Sequence, residues 1–236
     1  MALPLFFHHA PLETGATINL DEDTARHVVQ VLRMQVGEQI RLTDGKGADA
    51  VTEITRAEKK KAAVKLVAIQ LHEPPAQKLI LCMSFTKNAS RNEWLLEKAT
   101  ELGVQAIVPL MTARTEREHF RFDRLNNILI SAMMQSQQYH LPELKEPTPF
   151  KAVAGMDAAQ KLIAHCMEGV ERLPLHDVLH SGKDTLICIG PEGDFTNEEV
   201  QEATAAGFTG ISLGVNRLRT ETAAMAVCAY FNMINA

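Results

Sequence analysis

The pattern of apolar and polar positions changes character once along the chain, at HEPPAQK (72–78), where two consecutive prolines suit neither a helix interior nor a strand ladder. Upstream, apolar residues come in short alternating runs. QIRLTD (39–44), AVTEITR (50–56) and AAVKLVAI (62–69) repeat every second residue around a GKG turn (45–47), which predicts strands joined by tight turns. One helical stretch, Thr24 to Met34 with Val28, Val31 and Leu32 apolar, precedes them. A small β-barrel or sandwich with one helix is expected. Downstream, LILCMSF (79–85) is a continuous apolar run of the kind buried on both faces of a parallel sheet. SRNEWLLEKATELG (90–103) follows as a helix, with Ser90 and Glu93 expected as its capping box and Gly103 as its stop. Strands VQAIVP (104–109), KLIAHC (161–166), TLICI (185–189) and TGISL (209–213) then alternate with three helices. These run from about Arg124 to Gln138 behind Asp123, over TNEEVQEATAAG (196–207) with a Thr196/Glu199 capping box, and from Thr220 to about Ile234. That rhythm predicts an α/β domain built on a mainly parallel sheet.

Composition narrows the class. At 46% apolar and 22% charged residues the chain is an ordinary globular one, which excludes collagen-like and largely disordered proteins. The four cysteines (Cys82, Cys166, Cys188, Cys228) are scattered, as in neither a zinc site nor a disulfide scaffold, so a cytoplasmic location is expected. No run approaches about 18 apolar residues and no basic leader opens the chain, so no membrane association is expected. Residues 1–72 carry nine basic and nine acidic side chains, and the net charge of −5 resides in 73–236. Any contact with nucleic acid therefore needs local patches. One candidate is Arg56 to Lys65, five basic residues against Glu58 alone, for which a solvated hairpin tip is an equally good account.

Two loops, IGPEGDFT (189–196) and LGVNRLRTET (213–222), each begin where an apolar strand ends and finish where a helix starts. Ligands of open parallel sheets sit beyond such strand ends, so these loops are candidate pocket walls. Gly190, Gly193 and Gly214 are expected to let the backbone approach a ligand, although each loop is also explicable as a plain strand-to-helix turn. The phosphate fingerprints GxxxxGK[ST] and GxGxxG are missing, and Glu192 with Asp194 favours a neutral or cationic ligand. The histidines, including the 8–9 pair and His176/His180, lack partners in convincing register for a metal, so none is expected.

Taken together, HVVQVLRMQVGE, EKATELGVQAIVP, Gln135–Ser136 followed by Pro142, IGPEG with Phe195 and Glu199, and LGVNRLRTETAAMA resemble the RsmE-type small-subunit rRNA uridine N3-methyltransferases of the SPOUT superfamily. The matches run in family order to the C-terminal end. Two departures stand out. Met134 and Gln138 occupy positions where the family carries a glutamate and an arginine, and Asp194 stands where a second glycine often follows GPEG.

The resemblance implies an N-terminal PUA-like RNA-binding β-barrel (1–72) and a C-terminal SPOUT methyltransferase domain (73–236) whose deep trefoil knot lies within about 160–236. It implies S-adenosyl-L-methionine as cofactor, 16S rRNA within the small ribosomal subunit as substrate, and a homodimer. By similarity the cofactor contacts are His165, Cys166 and Met167, then Ile189, Gly190, Pro191, Glu192 and Gly193, then Leu213, Gly214, Asn216, Arg217 and Leu218. The uracil imide needs a proton acceptor or a group that stabilises its anion, and Arg219 with Glu221 is the pair to test. A helix-dipole charge is the plain alternative for Glu221. Candidate RNA contacts are Arg33, Lys59, Lys60, Lys61, Lys87 and Arg91. Arg114, Arg117, Arg121 and Arg124 recur every three or four residues, which would align them on a helix. Two rival functions remain: methylation of another RNA by the same fold, and a non-catalytic rRNA-binding assembly factor.

Overall fold

The computed structural model describes residues 3–115 and 120–236, so Arg117 lies outside the described residues. The chain divides into two compact units. The first comprises Met1–Pro74 with Met133–Leu141, and the second Pro75–Ala132 with Pro142–Ala236. The division at 74/75 falls inside the proline segment, but the first unit is discontinuous in sequence because 133–141 returns to it.

In the first unit β1 (Leu5–Phe7), β2 (Thr17–Asn19), β3 (Gln39–Thr43), β4 (Ala48–Glu58) and β5 (Lys61–Leu71) form a sheet in the order β1-β3-β4-β5-β2. Among the described residues β1 and β2 do not pair with each other, so the sheet is not a closed barrel. The alternating burial of Ile40, Leu42, Ala50, Thr52 and Ile54, all fully buried, builds the core face. The expected Thr24–Met34 helix is instead α1 (Glu22–Arg26), capped by Asp21 on the Thr24 N–H (2.9 Å), followed by a wider π-turn over His27–Val31. The wider turn breaks the 3.6-residue period. Val28 is therefore fully buried while Val31 and Leu32, expected on the same face, are 64% and 41% exposed.

The returning segment is fastened to this unit by polar contacts. Arg41 forks onto Asp49 (2.8 and 2.7 Å) and also donates to the Tyr139 hydroxyl and Gln137 Oε1. The Tyr139 ring stacks on His72 at 4.1 Å, and main-chain bonds join Gly47 N to Tyr139 O and Leu141 N to Gly45 O, both 2.8 Å. A fork held by a half-buried carboxylate is the stronger kind of ion pair, and the Arg41 guanidinium holds the Asp49 carboxyl below its ordinary range.

The second unit is an all-parallel sheet in the order β11-β13-β10-β12-β6-β7-β8, with β9 against β7. Its strands are β6 (Leu79–Met83), β7 (Ala106–Met111), β8 (Glu143–Leu144), β9 (Thr148–Pro149), β10 (Gln160–Ala164), β11 (Leu173–Pro174), β12 (Thr185–Ile189) and β13 (Thr209–Ser212). Its helices are α2 (Ala89–Glu101), α3 (Phe122–Gln135, which runs into the returning segment), α4 (Phe150–Ala154), α5 (Leu175–Val178), α6 (Asn197–Ala205) and α7 (Thr220–Asn235). Every residue of β12 is buried, as a strand covered on both faces must be. Among the described residues, no helix is long and apolar enough to cross a membrane.

Two helix starts merit comparison. Thr196 and Glu199 form the expected capping box on α6. On α2 the cap is Asn88, whose side chain accepts from the Ser90 and Arg91 N–H groups, and not the expected Ser90. Asn88 takes the role because it comes two residues earlier in an extended conformation that a helical Ser90 lacks. Glu93 instead holds Arg124 bidentately at 2.7 and 2.9 Å. The expected arginine stripe is likewise not one helix face, since α3 begins at Phe122 while Arg114 lies in the turn after β7.

Candidate functional site

Three neighbouring strands end level with one another. Ala164 of β10 pairs with Ile189 of β12 on one side and Ile211 of β13 on the other, so three loops leave the sheet from one row. That row floors a cavity of about 380 Å³, within the size range of small-molecule sites. Ile189, Ile211, Leu213, Leu218 and Ala223 give it apolar walls, and Glu192, Asp194, Arg217 and Arg219 give it charge. The bends at 190 and 213–219, far apart in sequence, face the same space.

Of the residues expected at the cofactor, His165, Cys166, Ile189, Gly190, Pro191, Glu192, Leu213, Asn216, Arg217 and Leu218 line this cavity. Met167, Gly193 and Gly214 sit beside lining residues without lining it themselves. Arg219 lines it and Glu221 does not. Sequence reasoning missed Ala164, Ile211, Thr220 and Ala223, and it placed Asp194 in the candidate loop without giving it a contact. The strand-end register that brings Ala164 and Ile211 together is a tertiary fact with no local signal.

The loops are tied to one another by specific bonds. The Asp194 carboxylate accepts from the Cys166 N–H (2.7 Å) and the Phe195 N–H (2.9 Å), which links the loop after β10 to the loop after β12. Asp194 has φ +64, a left-handed conformation that asparagine, aspartate and glycine tolerate best. This explains why aspartate can stand in a glycine position. The Thr220 hydroxyl donates to the Gly190 carbonyl (3.2 Å), fastening the start of α7 to the second loop. Arg114 donates to the carbonyls of Gly193 (2.6 Å) and Phe195 (3.3 Å), and the Ala113 N–H donates to Glu199 Oε1 (2.8 Å).

The glycines differ from expectation in their reason. A Cβ on Gly190 would stand 3.0 Å from the buried Phe195 ring, and one on Gly193 would stand 3.3 Å from the Arg114 side chain. At 190 the protein's own packing favours glycine, whereas at 193 the neighbour is a flexible arginine side chain. Gly214, at φ +114 with open space around it, is required by its backbone conformation.

His165 is 4% exposed. Burial pushes its pKa below the ordinary 6.5, with Asp194 opposing and Arg172 reinforcing the shift. The Met167 N–H donates to Nδ1 (3.3 Å), which leaves the ring proton on Nε2, a buried atom with no hydrogen-bond partner. Glu221, in the first turn of α7, has Oε1 3.5 Å from Arg91 Nε, while its Oε2 is buried and unpartnered. Arg91 also reaches Glu192 at 3.5 Å. The expected RNA contact Arg91 is thus engaged by two carboxylates, and Glu221 faces Arg91 instead of Arg219.

In the first unit, Arg33, Lys59, Lys60 and Lys61 are exposed. The three lysines cap the β4–β5 hairpin, with Lys60 at 2.9 Å from Glu22 and the Lys59 carbonyl accepting from Gln30. Lys87, in the second unit, is exposed just ahead of α2.

Comparison with known proteins bears on this arrangement. A family model described as RNA methyltransferase domain matches residues 72–232, and one described as RNA methyltransferase PUA domain matches 20–67. A curated relative from Rickettsia conorii, named ribosomal RNA small subunit methyltransferase E, is 31% identical over 95% of this chain and 93% of its own length. A crystal structure of a probable rRNA-methyltransferase from Porphyromonas gingivalis superposes with a TM-score of 0.92 at 38% identity, covering 99% and 98% of the two chains. A ribosomal RNA small subunit methyltransferase E from Neisseria gonorrhoeae, solved bound to S-adenosyl methionine, gives 0.86 at 31% identity over 99% and 98%.

Proposed function

Since the chain belongs to the ribosomal RNA small subunit methyltransferase E family, we propose that it transfers a methyl group from S-adenosyl-L-methionine to N3 of a uridine in 16S rRNA. The observation that carries this reading is the single row of strand ends at Ala164, Ile189 and Ile211, with its cavity of about 380 Å³.

The residues present fit the cofactor. Apolar walls suit an adenosine ring, the Glu192 and Asp194 carboxylates suit a cationic sulfonium or ammonium, and Arg217 suits a carboxylate. The Glu192–Asp194 pair explains why the loop is not a polyphosphate cradle. When bound, S-adenosylmethionine supplies an electrophilic methyl group.

The chain's own residues then have distinct tasks. Arg219, exposed on the cavity wall, stabilises negative charge spreading onto uracil O2 and O4 as the imide proton leaves. Glu221 acts through Arg91 as a positioning residue, a role its buried carboxylate and 3.5 Å ion pair favour over direct proton acceptance. The loops exclude water and align the two reactants.

The remaining features implied by the family complete the reading. The lysine tip at Lys59–Lys61 and Arg33 contact phosphates, and the PUA-like amino-terminal domain grips the RNA. The knot falls within about 160–236, consistent with a chain that crosses from one side of β10 to the other and back. Two copies act together in the cytoplasm on RNA of the small subunit.

Tritiated cofactor tests the proposal. The protein should label rRNA from cells lacking it, with the label in N3-methyluridine on nucleoside analysis. Label confined to tRNA would replace the substrate, and tight rRNA binding with no cofactor binding by calorimetry would identify an assembly factor. Arg219→Gln should lower kcat about 10²- to 10³-fold with little change in cofactor affinity.

A further inference from the structure

The first turn of α2 serves two places. Arg91 turns towards Glu192 and Glu221, whereas Ala89, Ser90, Asn92 and Glu93 wall a separate cleft of about 330 Å³. Phe85, Phe120, Arg121, Arg124 and Leu125 complete that cleft. None of these residues lines the cofactor cavity.

The cleft combines two features that ordinary packing does not need together. Phe85 is 2% exposed and meets the half-buried Phe120 edge-on, with ring centroids 4.9 Å apart at 74°. The buried ring fixes the angle of the ring that reaches the cleft. The rim carries the exposed Arg121 together with Arg124, whose guanidinium Glu93 holds bidentately. Among the described residues, two arginines and one glutamate line this cleft, in a chain whose net charge is −5. A core void would not gather arginines at its mouth, and a plain phosphate site would have no use for a propped aromatic ring. A nucleobase needs an aromatic face, and the sugar-phosphate attached to it needs cations within reach.

The geometry points to a second subsite that takes one nucleotide of single-stranded RNA, its base against Phe120 and its phosphate at Arg121. A volume of about 330 Å³ suits one nucleotide and no more. The inference deepens the methylation reading and rests on it only for the identity of the RNA. The shared helix turn makes this nucleotide a neighbour of the one to be modified.

Fluorescence anisotropy with a labelled ten-residue oligouridylate and the full chain tests the subsite directly. Phe120→Leu keeps apolar bulk and removes the stacking face, so affinity should fall about five- to a hundredfold. Arg121→Gln, at an exposed position where folding is not at issue, should weaken binding and lower the slope of log K against log salt by about 0.7. Cofactor affinity by calorimetry should be unchanged in both. Failure of the unaltered protein to bind the oligonucleotide, or equal affinity in both variants, overturns the subsite. Methyl transfer to rRNA by the unaltered protein is scored separately. Its absence, with oligonucleotide binding still sensitive to both variants, would remove the methylation reading and leave the cleft.

Discussion

Asp194 does two jobs that a substitution series can separate. Its carboxylate accepts the Cys166 and Phe195 N–H groups at 2.7 and 2.9 Å, and its backbone is held at φ +64. Hydrogen bonds to a charged acceptor contribute about 1.5–3 kcal/mol each, and the lower end applies because Cys166 is exposed and water can replace part of the loss. Asp194→Asn keeps a residue suited to the left-handed conformation and one acceptor oxygen, so its cost should be about 1–2 kcal/mol. Asp194→Gly loses both bonds without steric strain, at about 3 kcal/mol. Asp194→Ala loses both and adds about 1–2 kcal/mol for a Cβ in left-handed backbone. Chemical denaturation of the three variants, with a cofactor titration of each, reads the order directly. An alanine variant as stable as the asparagine one would refute the reasoning, because neither the clasp between loops nor the strain would then exist.

Three further outcomes follow from the same site. Gly190→Ala should destabilise the protein by about 1–3 kcal/mol, since the added methyl meets the Phe195 ring at 3.0 Å, and thermal melting would detect it. Burial lowers the pKa of His165, so the unfolded chain takes up the proton first on acidification; the stability due to this residue is complete above its ordinary value of 6.5 and is lost as pH falls below it. The pH dependence of Tm between 7 and 5 should accordingly be shallower in His165→Gln than in the unaltered protein, and parallel curves would contradict the assignment. Cys82, Cys188 and Cys228 are buried, and burial pushes the Cys228 thiol up to about 12, so a thiol reagent should modify Cys166 alone in the folded chain. Added S-adenosylmethionine should slow that reaction, and an unchanged rate would argue against its binding beside Cys166.

Much of the second unit was legible because its signals are local. Continuous apolar runs marked β6, β12 and their neighbours, and Thr196 with Glu199 marked the start of α6 through a bond pattern confined to four residues. The two candidate loops were recognisable because strand-end glycines recur in pocket walls. What the sequence hid was non-local. β1 and β2 are three residues each, too short for alternation to register, and are strands only because β3 and β5 pair with them. Arg91 was expected as an RNA contact in the first turn of a helix, and only folding brings Glu192 and Glu221 to it. Asp194 stood out as a departure from the family glycine, and its left-handed dihedral angle supplies the reason. The wide turn after α1 defeated the helical period at Val31 and Leu32, an outcome periodicity cannot foresee when a π-turn intervenes.

The discontinuity of the first unit has a consequence for biosynthesis. A nascent chain that has exposed residue 74 still lacks Gln137, Tyr139 and His140, so Arg41 can hold Asp49 but not Gln137 or Tyr139, and the His72 ring has no Tyr139 to stack on. At usual elongation rates the next 67 residues take roughly 3–13 s to arrive. During that interval the amino-terminal sheet lacks the bonds that 133–141 supplies, and an amino-terminal fragment ending at the proline pair should be correspondingly less stable.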